Sequence, residues 1–266
     1  MVVFYNMTES EVKSYTNFHL SIEVLKTTIS LLLIDKSNSK PVAIEHLVLK
    51  DDKVKKTLSS SEIIDKTNPD TISCSIINSY FTLVPKSIFS EESIQSYLST
   101  AVTIPDDFEV TKDTLSKREI VCCFAMDTKV KNTVLSVFPN AQFNHISSIL
   151  CDSVSNGFHI NFSTKQNFEV TVIKDNKLLF FNRFEFENKD ESFYFLTLIA
   201  EKLNLNLAET KISLSGIVNK NGDMLSFWSQ FLPKENLTFN EVETTQLNAI
   251  STHQYFTLHK QYPCVL

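Results

Sequence analysis

The clearest pattern of apolar and polar positions runs from Phe158 to Leu207. Apolar and polar side chains alternate over residues 158–162, as they do along a half-buried β-strand. Two further alternating segments, 168–173 and 178–186, are joined by the turn Asp175-Asn176. The pattern therefore predicts a three-stranded antiparallel meander.

A helix is predicted directly after this meander. Asn188 is a suitable N-cap residue, and Glu191, three residues later, completes a pair that resembles a capping box. Phe193, Leu196 and Ala200 then recur at helical spacing. We expect this helix to pack its apolar stripe against the sheet.

The N-terminal part of the chain repeats the same order of elements. Strands are predicted at 19–24, 28–34 and 41–49, followed by a short helix at 62–66. In both halves the meander leads into alternating helices and strands. This order predicts an α/β fold of two similar units, each with a mixed sheet and helices on its faces.

Three other segments carry weaker patterns. Residues 103–116 include Pro105 and show no clear period, so we expect an exposed loop there. Residues 255–259 alternate enough to predict a last strand. Asp223 is expected to cap a helix that follows the turn at 219–222.

The domain boundary is predicted at Asn156-Gly157, where a completed αβ series gives way to the next meander. This divides the chain into an N-terminal tail at 1–15, a first domain at 16–155 and a second domain at 156–266. The tail is expected to fray or to pair only at a sheet edge. A helical turn or two is expected at 244–250.

Composition narrows the class of protein. The chain has 266 residues, a net charge of −6 and 42% hydrophobic residues, which is typical of an acidic globular protein. Nucleic acid is not expected as a partner, because phosphate binding needs a basic surface. The N-terminus does not read as a signal peptide, and no apolar run approaches the roughly 20 residues of a spanning helix. We expect a cytoplasmic protein without membrane insertion.

The counts of cysteine, histidine and glycine exclude several chemistries. The five cysteines and six histidines form no metal-ligand spacing, so we predict no metal site and buried, reduced thiols. The only glycines are Gly157, Gly216 and Gly222. Phosphate-cradling loops need repeated glycines, so a P-loop, a dinucleotide fingerprint and a kinase glycine-rich loop are absent. No catalytic residues are predicted.

Short motifs carry a resemblance to a known family. The motifs are Phe81-Thr-Leu-Val-Pro85, Phe138-Pro139 followed by His145, Asn182-Arg-Phe184 and Leu214-Ser-Gly216. With these motifs the chain resembles, over about residues 15–260, an uncharacterised Bacteroidetes family, a domain of unknown function with an actin-like ATPase fold. The resemblance implies two ribonuclease H-like units of βββαβαβα order, as in the actin, Hsp70 and sugar-kinase superfamily.

The resemblance also implies where nucleotide would bind. Active members carry Asp-x-Gly-Thr/Ser at the first hairpin of each unit, where the glycine lets the turn wrap phosphate. Here Glu23 could replace the first acid, but no glycine follows it. In the second hairpin Asn161 and Phe162 replace the acid and the glycine, and only Gly216 remains on the adenosine side. The resemblance therefore implies a degraded nucleotide site.

Two main functional hypotheses remain, and a third is an enzyme of unrelated chemistry in the cleft between the domains. The preferred one is a non-catalytic module that binds a protein partner or a second copy of itself. The alternative is a nucleotide-binding protein or weak ATPase that uses ATP and Mg²⁺ in the cleft between the domains. It would use side chains of two hairpin turns and one strand end: Glu23, Thr27, Thr28, Ser163, Thr164 and Gly216. These turn residues have an equally ordinary interpretation as solvated polar side chains.

Phenylalanine is unusually frequent, with 21 residues, and several lie between Phe180 and Phe195. Phe181 and Tyr194 fall outside the main core stripe. Such residues either mark an apolar surface that binds a partner or reflect a core filled with phenylalanine.

Overall fold

The computed structural model describes residues 2–4, 17–49, 53–115, 117–244 and 251–264. These residues belong to two compact units. Unit 1 holds the described residues up to Ile149, residues 243–244 and the end of the chain from Leu258. Unit 2 holds Leu150–Val242 and residues 251–257. In the described ranges no helix is long and apolar enough to cross a membrane.

The described residues of unit 1 form two sheets. Its described strands are β1 (Val2–Phe4), β2 (Phe18–Val24), β3 (Thr28–Asp35), β4 (Lys40–Val48), β5 (Thr71–Ile76), β6 (Phe81–Pro85), β7 (Phe108–Leu115), β8 (Ile120–Asp127) and β9 (Gln142–His145). Six of them form one sheet in the order β1-β4-β3-β2-β5-β9, and the other three form a second sheet, β6-β8-β7. The described helices up to the end of this unit are α1 (Val54–Leu58), α2 (Glu62–Lys66), α3 (Ile94–Ala101), α4 (Thr128–Val137) and α5 (Ile146–Ser153).

The predicted loop at 103–116 is wrong, because β7 occupies most of it. β7 is an edge strand that pairs antiparallel with β8 along its whole length. Only Leu115 of this strand is buried, so its side chains do not need the strict alternation of a core strand. The apolar strand β8 supplies the pairing partner.

The core of unit 1 lies on one face of the six-stranded sheet. Phe18, Leu20 and Ile22 alternate along β2 on this face and are fully buried. Helices α1 and α4 cover them with Leu58 and Val134, which are also fully buried. The opposite face of β2 carries polar side chains.

The described residues of unit 2 form one sheet. Its strand order matches that of five strands in the larger sheet of unit 1. Its strands are β10 (Gly157–Phe162), β11 (Asn167–Lys174), β12 (Lys177–Glu185), β13 (Ile212–Gly216) and β14 (Leu237–Phe239). They are ordered β12-β11-β10-β13-β14, with β10 and β13 parallel. The matching strands of unit 1 follow the same order, β4-β3-β2-β5-β9. This confirms the predicted α/β fold with an internally repeated unit.

The remaining described helices come after β12 in the chain, and the larger part of the last one belongs to unit 1. They are α6 (Lys189–Lys202), α7 (Asp223–Trp228) and α8 (Phe256–Cys264). Asn188 caps α6 as predicted, accepting a hydrogen bond from the Glu191 N–H at 2.9 Å. The Glu191 carboxylate accepts from the Glu187 N–H rather than from that of Asn188. The predicted cap of α7 is wrong by one residue, since Gly222 is the N-cap and Asp223 is the first helical residue.

The predicted last strand at 255–259 is also wrong. A 3-10 helix at Thr252–Tyr255 leads directly into α8. Tyr255, Leu258 and Tyr262 are buried at helical spacing, a pattern that extends beyond the short window that alternates. Residues 245–250, where a further helical turn is predicted, and most of the predicted tail lie outside the described residues.

The part of α8 in unit 1 is held against the sheet by buried polar side chains. Gln261 accepts a hydrogen bond from the Ser73 hydroxyl at 2.8 Å and donates to the Ile22 carbonyl at 3.2 Å. The Ser73 hydroxyl oxygen is also 2.9 Å from the Nε2 atom of His19. Burial, with a smaller contribution from Lys36, lowers the pKa of His19 to about 4, so this imidazole is neutral at pH 7.

Candidate functional site

The hairpin between β2 and β3 holds the first group of predicted site residues. Lys26 and Thr27 form an exposed turn, and the Leu25 N–H donates to the Thr28 carbonyl at 2.8 Å. The Thr27 carbonyl accepts a hydrogen bond from the Leu49 N–H, also at 2.8 Å. The side chains of Lys26 and Thr27 face solvent, and Thr28 is half-buried.

Glu23 lies in a polar row that crosses the sheet of unit 1. In register, its neighbours are Ser30 on β3 and Ser75 on β5. The row continues to His46 on β4, whose Nδ1 is 2.9 Å from the Ser30 hydroxyl, and to Asn144 on β9. The Ser75 hydroxyl and the Asn144 carbonyl oxygen are buried and have no hydrogen-bond partner within the described residues. The sequence singles out Glu23 but not the strand neighbours that surround it.

In unit 2 the second hairpin contains a closed hydrogen-bond network centred on Glu169. This residue is 0% exposed, and its carboxylate accepts from the amide of Asn161 and from the hydroxyl of Ser163, each at 2.8 Å. It also forms an ion pair with Arg183. On the other side of Asn161, its amide oxygen accepts a hydrogen bond from the Ser215 hydroxyl at 2.9 Å.

Arg183 closes the network from the neighbouring strand. Its guanidinium donates to the Ser163 hydroxyl at 3.0 Å and to the Asn167 amide oxygen at 2.8 Å. Burial raises the pKa of Glu169, while Arg183 and the hydrogen bonds from Asn161 and Ser163 act in the opposite direction. In the second hairpin, where an active superfamily member would bind phosphate, the side chains are therefore already hydrogen-bonded to one another.

Thr164 and Gly216 also have local structural roles. The Thr164 hydroxyl accepts a hydrogen bond from the Gln166 N–H at 3.1 Å, which stabilises the hairpin turn. Gly216 has a φ of +80°, and a Cβ there would lie 2.2 Å from the carbonyl oxygen of Phe162. The N–H of Ile217 donates to this same oxygen at 2.7 Å. Glycine is thus required for close contact between β13 and β10.

Sequence reasoning missed Glu169 and Arg183, the two charges at the centre of the network. The only signals are a carboxylate within the apolar segment 168–173 and an arginine within Asn182-Arg-Phe184. No group of three or more histidine, cysteine or carboxylate side chains that could hold a metal ion occurs among the described residues.

Unit 1 also contains a cavity of about 490 Å³ near the carboxyl ends of β2 and β5. Its walls are mostly apolar and include Val24, Ile76 and Val130. Lys26 and Lys129 contribute cationic side chains. A volume of this size and an apolar lining are typical of sites for small ligands.

Comparisons with known proteins identify the fold. The family described as "Protein of unknown function (DUF3822)" matches residues 8–234. No curated protein matches the sequence. The chain is similar in structure to a Bacteroides thetaiotaomicron protein described as having an actin-like ATPase fold and unknown function. The TM-score is 0.73 at 16% identity, with 95% of this chain and 98% of that one covered.

Two further solved structures share the fold. One is the cytoplasmic domain of EpsL from Vibrio cholerae, with a TM-score of 0.54, 10% identity and coverage of 92% of this chain and 95% of that one. The other is the ethanolamine utilization protein EutJ from Carboxydothermus hydrogenoformans, with a TM-score of 0.50, 8% identity and coverage of 91% and 88%. At such low identity the likeness concerns the fold alone. It confirms the predicted actin-like ATPase fold.

Proposed function

The chain belongs to the family of proteins of unknown function DUF3822, and from this premise we propose that it is a protein-binding module without ATPase activity. The observation that carries the proposal is the network around Glu169. An active second hairpin would present free donors to a phosphate group. Here the donors of Asn161, Ser163 and Arg183 are directed at the buried carboxylate of Glu169.

Electrostatics support the same proposal. The positive charge of Arg183 is already compensated by the Glu169 carboxylate, so this hairpin offers a phosphate group no uncompensated cation. Breaking the ion pair to free Arg183 would leave Glu169 charged and uncompensated in a buried position, which is costly. Gly216, the remaining glycine of the predicted site, serves the contact with Phe162.

An aromatic patch on unit 2 is the surface that we propose for a partner; one of its rings is exposed, and the other two are half-buried against the core. We define this aromatic patch by Phe193 on α6 and by Phe227 and Phe231 on and after α7. The ring of Phe231 is 56% exposed and stacks on Phe193 at 4.9 Å, while Phe227 lies edge-on at 5.3 Å. The Lys189 ammonium is 5.1 Å from the centre of the Phe227 ring. Aromatic side chains are enriched at protein-binding surfaces, and an exposed ring such as Phe231 supports this interpretation.

The relatives supply an analogy at the level of the fold. The cytoplasmic domain of EpsL is described as part of an inner membrane component of the type II secretion system. A chain of this fold can therefore belong to an assembly, and we propose the same kind of role here on that analogy. The net charge of −6 supports a protein partner rather than nucleic acid.

We also propose a cytoplasmic location. The structure contains buried thiols that form no disulfide at Cys74, Cys122 and Cys123. Burial raises the pKa of Cys74 to about 12, so this thiol stays protonated and unreactive. Unreactive thiols of this kind are typical of proteins from a reducing compartment.

The binding role is tested by affinity purification of the intact chain from its native cells. We expect the wild-type chain to retain a stable partner or a second copy, and Phe231→Ala to lose it, because the most exposed ring of the patch is removed. The matched control is Leu179→Ala on β12, another exposed apolar side chain of unit 2, at 42% exposure. A wild-type chain that stays monomeric and retains no partner would contradict the proposal.

A further inference from the structure

The cavity of unit 1 has a different chemistry from the aromatic patch. It lies near the carboxyl ends of the parallel strands β2 and β5, where open α/β sheets commonly bind ligands. Apolar side chains from four elements or loops form most of its wall. They include Val24 and Leu25 of the first hairpin, Ile76 and Ile77 at the end of β5, Val54 of α1 and Val130 of α4.

Two lysines give this cavity a cationic side. Lys26 and Lys129 line it, and both are exposed. Within the described residues, neither ammonium group forms an ion pair or hydrogen bond. The nearby carboxylate of Asp127 is already engaged, because one of its oxygens accepts from the N–H groups of Lys129 and Val130 at 2.7 and 3.2 Å. The ammonium groups of Lys26 and Lys129 are thus available to a ligand, whereas the Asp127 carboxylate already accepts hydrogen bonds from the backbone.

The first turn of α4 does not offer a phosphate site. The N–H of Thr128 donates to the Asp107 carbonyl at 3.1 Å. The next two N–H groups donate to the Asp127 carboxylate, which caps the helix. An anion at this cavity must therefore be bound by the lysine side chains. Two lysines and one aspartate give the cavity a small net positive charge. This charge favours a ligand with a single negative charge over a polyphosphate.

We propose that this cavity binds a small apolar molecule that carries one carboxylate group. The apolar body lies against Val24, Ile76 and Val130, where it removes apolar surface from water. The carboxylate lies on the solvent side, between the ammonium groups of Lys26 and Lys129. This site is separate from the aromatic patch, so its existence does not depend on the proposed protein-binding role.

Calorimetry with octanoate, octylammonium and 1-octanol tests the proposal on the intact chain. These three probes share an apolar body and differ in the charge of the head group. We expect octanoate to bind with a stoichiometry of one and octylammonium to bind at least tenfold more weakly, because the lysines repel it. No octanoate binding, or equal affinity for the two charged probes, would overturn the proposal.

Two variants locate the site. Lys26→Gln combined with Lys129→Gln should weaken octanoate binding about tenfold, in keeping with the modest strength of exposed ion pairs, and leave 1-octanol binding unchanged. Lys55→Gln on α1 removes an exposed lysine outside the cavity and should change neither. Val130→Phe should abolish octanoate binding by filling the cavity, with unchanged circular dichroism as the check on folding. Octanoate binding that survives both the double variant and Val130→Phe would place the ligand elsewhere and overturn the proposal.

Discussion

Glu169 and Arg183 are buried together, so each charge depends on the other. Glu169→Gln should lower the free energy of unfolding by about 3 kcal/mol, because Arg183 would remain buried without its counter-charge. Urea denaturation at pH 7 measures this change. The matched control is Glu62→Gln, which removes an exposed ion pair with Lys66 and should cost no more than about 0.5 kcal/mol.

The double variant Glu169→Leu with Arg183→Leu should recover much of the loss, because an apolar pair no longer carries an uncompensated charge. Equal effects of Glu169→Gln and Glu62→Gln would contradict a buried, coupled network.

One register shift explains why the sequence does not reveal this pair. Asp175 and Asn176 have φ values of +53° and +59°, as a tight two-residue hairpin turn requires. If the strand pairing set by this turn continued without interruption, Asn182 rather than Arg183 would lie opposite Glu169. A bulge between Val172 and Ile173 shifts the pairing by one residue and brings Arg183 into position. A bulge of this kind has no reliable signal in a single sequence.

Among the elements, β13 depends on Gly216 for its contact with β10. Gly216→Ala should destabilise unit 2 by at least about 2 kcal/mol, because the new Cβ would overlap the Phe162 carbonyl oxygen and φ is +80°. The control is Gly222→Ala, where φ is −83° and the nearest atoms to a Cβ are 3.2 Å away. Thermal unfolding of both variants measures the difference. A Gly216→Ala chain as stable as Gly222→Ala would mean that the close contact is not required.

Elements with strong local signals could be predicted from the sequence, whereas elements fixed by their neighbours could not. The strands β10, β11 and β12 alternate clearly, and Asn188 marks the start of α6. By contrast, β7 is a strand because β8 pairs with it. The residues of α8 alternate over a short window, but their buried positions follow a helical period.

At the scale of the whole molecule, the repeated strand order of the two units is the strongest result that the sequence could anticipate. The repeated strand order could be anticipated because hydrophobic periodicity indicates well the order of helices and strands along the chain. The positions of the hairpins could be predicted for the same reason. The chemistry within them could not, because it depends on which side chains meet across strands. Glu23, Thr27, Thr28, Ser163, Thr164 and Gly216 form a nucleotide site only under the alternative hypothesis, and that role stays a prediction.

We propose that this chain of actin-like fold does not bind nucleotide, and calorimetry of the intact chain with ATP and Mg²⁺ tests this directly. We expect no binding tighter than a Kd of about 100 μM, because the donors of the second hairpin are bonded to Glu169. Binding tighter than this, lost in the Thr27→Val and Ser163→Ala variants, would contradict the account and establish the nucleotide-binding alternative.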